Sequence, residues 1–392
     1  MEISVMSIII SAVALLLSIV SPLFSPLFRV PRPERKTMSD TDDSIVADDN
    51  DNDNDTTPVS IVIVAHDNAA ELERSLPLFL AQEYDADYQV IIVADKSDSE
   101  TDDVIKRFSG YKNLYATFIP ASSRYVSRKK LAVTLGIKAA KHPWVIVTDA
   151  WCHPKNTRWL GAFAANCKEG KDLVLGYTAY DKDAPARYIH DHAANAAYHL
   201  WFAARGRAIS TDSPLIAIRK KRFIQEKGFL GNLKYARGEY AFIVNKYSAK
   251  GNTAIALSGD SFLEEDTPLR KRWTNRHLFD INARESLHGM ARQKALYIAD
   301  IVMMFLCNVT IVASVVYGIY SQDWIVSGSG IMAFILQYIL RSLLSRKALD
   351  VLSCNVSFLL IPLMEFTQPF CDLSWRIRYC FADKYDFITH KI

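Results

Sequence analysis

Three apolar, β-branched runs that each stop at a polar side chain constrain this chain more than any other feature. "VSIVIVA" (59–65) leads into His66, "YQVIIVAD" (88–95) ends on Asp95, and "PWVIVTD" (143–149) ends on Asp149. Runs that stay apolar without alternating suit strands buried on both faces, as in parallel sheets. Helical patterns stand between them at 68–82, 99–108 and 128–140, with a further strand, "LYATFIP", at 114–120. Strands alternating with helices of this length predict an α/β fold: a mostly parallel sheet with helices on both faces. Ligands of such sheets bind beyond the carboxyl ends of the strands. His66, Asp95 and Asp149 all stand at such ends, so a site is expected there.

The region from 155 to 285 reads as mixed. A helical pattern follows Pro154, then come a strand at 172–178, a long helix at 185–206, a strand at 214–220, a helix at 237–248 and a strand at 252–257. The acidic "LEEDTP" (263–268) reads as a solvated loop. No Gly-x-Gly-x-x-Gly follows the first strand, which argues against a dinucleotide-binding enzyme.

Apolar segments flank this region. Residues 3–24 are long enough to span a bilayer, only Glu2 precedes them among charged residues, and Arg29, Arg32, Arg35 and Lys36 follow. That order predicts an uncleaved anchor with the chain after residue 29 on the cytoplasmic side. Residues 295–320 and 324–340 read as two further spans forming a hairpin, whereas 351–364 is too short and interrupted, and reads as interfacial or re-entrant. Residues 39–58 are dense in Asp and Asn, which predicts a solvated spacer. The organisation expected is an anchor (1–28), a linker (29–57), a main domain (58–285), two spans, and a membrane-associated segment with a basic tail (349–392). A net charge of +3 gives no ground for a nucleic-acid partner, and six cysteines without Cys-x-x-Cys spacing read as free thiols.

Four stretches, in order, resemble glycosyltransferase family 2, most closely its membrane-anchored bacterial branch. They are "SIVIVAHDN", "VIIVADKSDSET", "RKKLAVTLGIKAA" and "VTDAWCHP". The resemblance implies a glycosyltransferase-A-type, Rossmann-like fold with transmembrane helices at both ends. It implies inverting transfer of a sugar from a nucleoside-diphosphate-sugar to an acceptor hydroxyl, in cell-surface polysaccharide or lipid-linked glycan synthesis. It places Ala65, His66, Asp67, Asp95, Lys129, Lys130 and Asp149 at the nucleotide-sugar, and the protein in a bacterial inner membrane with its main domain in the cytoplasm. The partners implied are the donor, a glycan or lipid-linked acceptor, and membrane lipids; the oligomeric state is open.

Three positions depart from the family pattern. The family's metal strand ends in Asp-x-Asp to hold Mg²⁺ or Mn²⁺, but Trp151 stands at the second place, leaving Asp149 with His153 as a substitute ligand candidate. An acidic pair follows a Gly near the catalytic base; here Gly238 is followed by Glu239 and then Tyr240, so Glu239 is the candidate base. Arg276 and His277 fit the segment that closes over diphosphate and acceptor, with Trp273 where Gln is usual. The competing reading is a catalytically impaired relative that binds or scaffolds in glycan assembly.

Overall fold

The computed structural model of the chain describes residues 4–31, 56–120 and 127–383. Residues 32–55, which include most of the Asp/Asn-rich spacer (39–58), and the last part of the basic tail (384–392) lie outside the described residues. The chain divides into two compact units, one of Pro31–Thr178 and Ala203–Asp266, the other of Met1–Val30, Ala179–Phe202 and Thr267–Ile392.

After helix α1 (Val5–Val20), which belongs to the other unit, the sheet unit begins. It runs β1 (Val59–Val64), α2 (Ala69–Leu80), β2 (Tyr88–Asp95), α3 (Ser99–Arg107), β3 (Leu114–Ile119), α4 (Arg128–Ala139) and β4 (Trp144–Asp149). Then follow β5 (Cys152–Pro154), α5 (Trp159–Ala164), β6 (Leu173–Leu175), β7 (Thr178–Tyr180) and α6 (Ala186–Ala204). The chain returns through β8 (Leu215–Arg219), α7 (Lys220–Gln225), α8 (Glu239–Tyr247), β9 (Thr253–Ile255) and β10 (Leu263–Glu265).

Seven strands form one sheet in the order β3-β2-β1-β4-β8-β6-β9. The first four are parallel, β8 runs antiparallel to both β4 and β6, and β9 is parallel to β6. The α/β class and mostly parallel sheet read from the sequence are what the structure shows. Alternation along the strands puts Ile61, Ile63, Ile92 and Ile146 in a core with Leu72, Phe79, Val104 and Phe163 of α2, α3 and α5. Val62 and Val93 point the other way, against α4, where Gly136 is the point of closest approach. Both faces are therefore covered, and burial of each such side chain is worth about 1.5–3 kcal/mol.

Two readings of the second half change. The strand expected over 172–178 breaks at Gly176, where a Cβ would come within 2.4 Å of Leu215 Cγ, and β6 ends at Leu175. The "LEEDTP" segment is not a solvated loop: β10 pairs antiparallel with β5, Leu263 is fully buried, and Glu265 accepts from Thr178 Oγ1 at 2.9 Å. A strand of three residues, two of them acidic, shows too little apolar alternation to be seen in sequence.

The other unit is helical: α1, most of α6, α9 (Arg270–Arg284), α10 (Met290–Tyr320), α11 (Trp324–Val351) and α12 (Ile361–Phe381). Among the described residues, three segments are long and apolar enough to cross a membrane: Val5–Phe24, Met290–Tyr320 and Trp324–Val351, with mean hydropathies of 2.4, 2.1 and 1.3. Helix α1 packs on α10 and α11. Polar ties join them: Ser7 to Asp323 (2.5 Å), Ser11 to Ser329 (2.8 Å), and Arg341 to Ser21 Oγ (3.0 Å) and Glu365 (2.6 Å). The interrupted segment at 351–364 straddles the end of α11 and the start of α12, which carries Glu365, Asp372, Arg376 and Arg378.

Candidate active site

The strand order reverses between β1 and β4, which opens a crevice beyond their carboxyl ends. Val64 is level with both Val93 and Asp149, so the ends of β1, β2 and β4 lie side by side. Asp149 and Asp95 are 1% and 3% exposed. Buried carboxylates persist only with partners, and here the partners come from the first turn of α4.

That turn opens with Arg128, Lys129 and Lys130 behind the cap of Ser127, with no acidic residue. Three cations at a helix N-terminus oppose the macrodipole, so each needs an acceptor. Successive side chains leave a helix about 100° apart, and the three diverge accordingly. Arg128 pairs with Asp95. Lys129 Nζ lies 2.7 Å from both Asp149 Oδ2 and Glu239 Oε1. Lys130 Nζ donates to Asn232 O and Oδ1 (2.9 and 2.6 Å) and Tyr235 O (2.6 Å). An ammonium has three donors, so Lys130 is saturated and anchors the loop ahead of α8; this differs from the nucleotide contact expected of it.

Around Asp95, Ser97 donates from both its hydroxyl and its amide, at 3.0 and 3.4 Å. Burial opposes ionisation, but Arg128 and Ser97 outweigh it and hold the Asp95 carboxyl below the ordinary range. His66 Nδ1 lies 3.7 Å from Asp95, and His66 Nε2 3.6 Å from Asp67. Asp67 takes a left-handed backbone (φ 52°), tolerated by Asp, and its amide donates to Asp98 at 3.1 Å. Ala65 is buried, its amide bound to Val93 O at 3.0 Å.

Helix α8 starts on Gly238, whose φ of 84° suits glycine. Its first two side chains both reach Asp149's cluster. Glu239 does so through Lys129, and Tyr240 donates to Asp149 Oδ1 at 2.8 Å. Lys129 Nζ also stands 5.0 Å from the centre of the Trp151 ring and 4.9 Å from that of Tyr240, within cation–π reach. Burial, with the Glu239 charge, pushes the Asp149 carboxyl up despite Lys129. For Glu239 burial also opposes ionisation, but Lys129 and Arg237 prevail and hold the carboxyl down. Burial keeps Tyr240 a neutral phenol, and so a donor. Among the described residues, buried Glu239 Oε2 has no hydrogen-bond partner.

The closure residues lie in the helical unit. On α9, Arg276 donates to Tyr180 OH at 2.9 Å. His277 contacts Trp273 O through Nδ1 and Asp191 through Nε2, each at 2.8 Å. Both partners are acceptors, an arrangement that favours the protonated ring. Burial disfavours that charge, but Asp191 outweighs it and raises the His277 pKa, while His277 in turn lowers that of Asp191. Trp273, in place of Gln, stacks on Tyr188 at 4.1 Å.

Sequence reasoning missed Arg128, the ring faces of Trp151 and Tyr240, and the Tyr240 hydrogen bond. The available signal was the dipole-opposed basic triplet, which called for carboxylate partners.

Residues 60–230 match the family model described as Glycosyl transferase family 2. This stretch, which holds the ends of β1, β2 and β4, is thus a domain of that family, as the sequence resemblance implied. Among solved structures the chain is similar to the mannosyltransferase PcManGT from Pyrobaculum calidifontis in complex with GDP-Man and Mn²⁺, with 14% identity over 88% of this chain and 97% of that one, at a TM-score of 0.48. It is also similar to S. aureus TarS 1–349 in complex with UDP-GlcNAc, with 12% identity over 82% and 90% of the two chains, at a TM-score of 0.43. The comparison with curated proteins found no match.

The arrangement around Asp149 does not fit a divalent cation. Among the described residues no group of three His, Cys, Asp or Glu side chains is placed to hold one. His153 Nδ1 lies 3.8 Å from Asp266. A cation on Asp149 Oδ2 would stand within about 5 Å of the Lys129 ammonium, a repulsion of about 7 kcal/mol at an effective dielectric constant near 20.

Proposed function

We propose that the chain transfers a sugar from a nucleoside-diphosphate-sugar to an acceptor hydroxyl with inversion at the anomeric carbon. The observation that carries the reading is that Asp95 and Asp149 end adjacent strands of the family-2 stretch, Arg128 pairing with Asp95 and Lys129 joining Asp149 to Glu239. The donor's nucleoside lies at the β1 and β2 ends, near His66, Asp67 and Asp95, and its diphosphate at the β4 end. Glu239 is the candidate base, ionised at neutral pH, with Oε2 left to accept a proton. The acceptor hydroxyl gives its proton to Glu239 and its oxygen bonds to C1 of the sugar. The C1–O bond to the diphosphate breaks, and the nucleoside diphosphate departs with the electron pair.

Three helices long and apolar enough to span support a membrane location, and the basic residues after α1 support a cytoplasmic main domain in a bacterial inner membrane. The acceptor is accordingly a lipid-linked or cell-surface glycan. The test uses the purified chain in detergent with UDP- and GDP-sugars and a lipid extract, following nucleotide release and the anomeric configuration of the product. Glu239→Gln is expected to lower transfer about 10²–10⁴-fold. A product that retains the donor configuration sinks the inverting mechanism. A second reading, binding without transfer, is favoured by Trp151 and Tyr240 at positions where the family carries acids; nucleotide binding with no turnover of any donor would establish it.

A further inference from the structure

Two of the departures from the family pattern share a geometry. Trp151 and Tyr240 stand where acidic residues are usual, and their rings are the two that flank Lys129 Nζ, at 5.0 and 4.9 Å. Below the same ammonium lie Asp149 Oδ2 and Glu239 Oε1, each at 2.7 Å. Two carboxylate oxygens and two ring faces enclose a single positive charge. With an acid at 151 or 240 the cluster would carry three carboxylates; as it stands it carries two, and one built-in cation.

We propose that Lys129 Nζ takes the place of the divalent metal in this site, so that the chain holds a nucleoside diphosphate without metal. The proposal rests on the nucleotide-sugar reading given above. Two of the three ammonium donors are spent on Asp149 and Glu239, which leaves one to meet a phosphate oxygen. The side chain is 13% exposed, so the group is held in place yet reachable. Arg237, close enough to Glu239 to help keep its carboxyl ionised, brings a second positive charge to the cluster. When the C1–O bond of the donor breaks, the charge gained by the diphosphate oxygen faces a fixed ammonium whose position the two carboxylates set. The rings restrain the lysine and exclude water from its flanks, which strengthens its hydrogen bonds.

The deciding experiment is calorimetric titration of UDP and GDP into the full-length chain in detergent, once in EDTA and once in Mn²⁺. Equal affinity in both buffers is expected for the unaltered protein. Lys129→Gln should weaken binding about tenfold to a hundredfold, as loss of a charged hydrogen bond does. Trp151→Asp, which adds the missing carboxylate, should make affinity rise when Mn²⁺ replaces EDTA. Binding by the unaltered chain that appears only with Mn²⁺ overturns the proposal and leaves the sugar-nucleotide reading intact. No binding of either diphosphate or of its sugar conjugates, in either buffer, removes that reading and the proposal with it. The comparison of buffers needs no variant, so a Lys129→Gln chain that fails to fold does not spoil it.

Discussion

Lys129→Met is the sharpest test of how the site is held together. The change keeps the length and apolar stem of the side chain and removes the charge between Asp149 and Glu239, whose side chains are 1% and 6% exposed. Removing one member of a buried ionic group leaves its partners uncompensated, at about 3–5 kcal/mol. The sheet unit has about 200 residues, for which 1 kcal/mol moves Tm by about 2–4 °C. A drop of about 6–20 °C is therefore expected at pH 8. The stranded carboxyls can relieve the strain by taking up protons, which raises their folded pKa values above those of the unfolded chain. The penalty then grows as pH rises past about 4 and is smaller at pH 5 than at pH 8. Reactivity of the buried thiols Cys152 and Cys167 reports opening of the sheet unit, while exposed Cys380 gives the baseline. Lys129→Met combined with Asp149→Asn and Glu239→Gln should recover most of the loss, because the three residues act as one network. A fall under about 2 °C for the single variant, or one that does not change between pH 5 and 8, would refute the reasoning.

Three further outcomes are open to measurement. Gly136→Ala puts a Cβ 2.3 Å from Val62 Cγ1, so α4 must lift from the sheet; a loss of about 1–3 kcal/mol in urea unfolding is expected. Tyr240→Phe removes the hydroxyl that donates to Asp149 and should lower stability by about 1–3 kcal/mol, with a smaller loss when Asp149 is already Asn. The His277–Asp191 pair gives stability a pH window. The raised pKa of His277 makes its contribution complete below about pH 6.5 and lost as pH rises through the folded value, and the lowered pKa of Asp191 makes its share present above about pH 4 and lost in acid. The helical unit should therefore melt at lower temperature at pH 9 than at pH 6, and His277→Gln should flatten that difference.

The first half of the sheet was legible because its strands are buried on both faces, and nothing but a continuous apolar run satisfies that. Asp95 and Asp149 could be placed at a site from the same logic, since a strand's last residue and its position in a parallel sheet follow together. What stayed hidden depends on direction rather than on residue type. The sequence "RKK" shows three cations, but only the helical phase of α4 sends Arg128 to Asp95, Lys129 to Asp149 and Lys130 into a loop. Trp151 read as a lost ligand because the pattern names what is missing at that position, whereas the ring acts on a side chain 22 residues earlier. The short strand β10 was invisible because its partners come from β5, far back in the chain.

The polar ties of α1 bear on how the chain is made. Ser21 and the Arg341 side chain that binds it are 320 residues apart. At about 5–20 residues per second of synthesis, roughly 16–64 s separate their appearance. Helix α1 must therefore wait, with Ser7, Ser11 and Ser21 unmatched, until α11 arrives. Its early solvation falls to lipid headgroups, water or an insertion chaperone, and a chain halted before residue 341 would carry α1 without the arginine that binds it. Assembly of the helical unit is thus a late event, completed after the sheet unit has been synthesised.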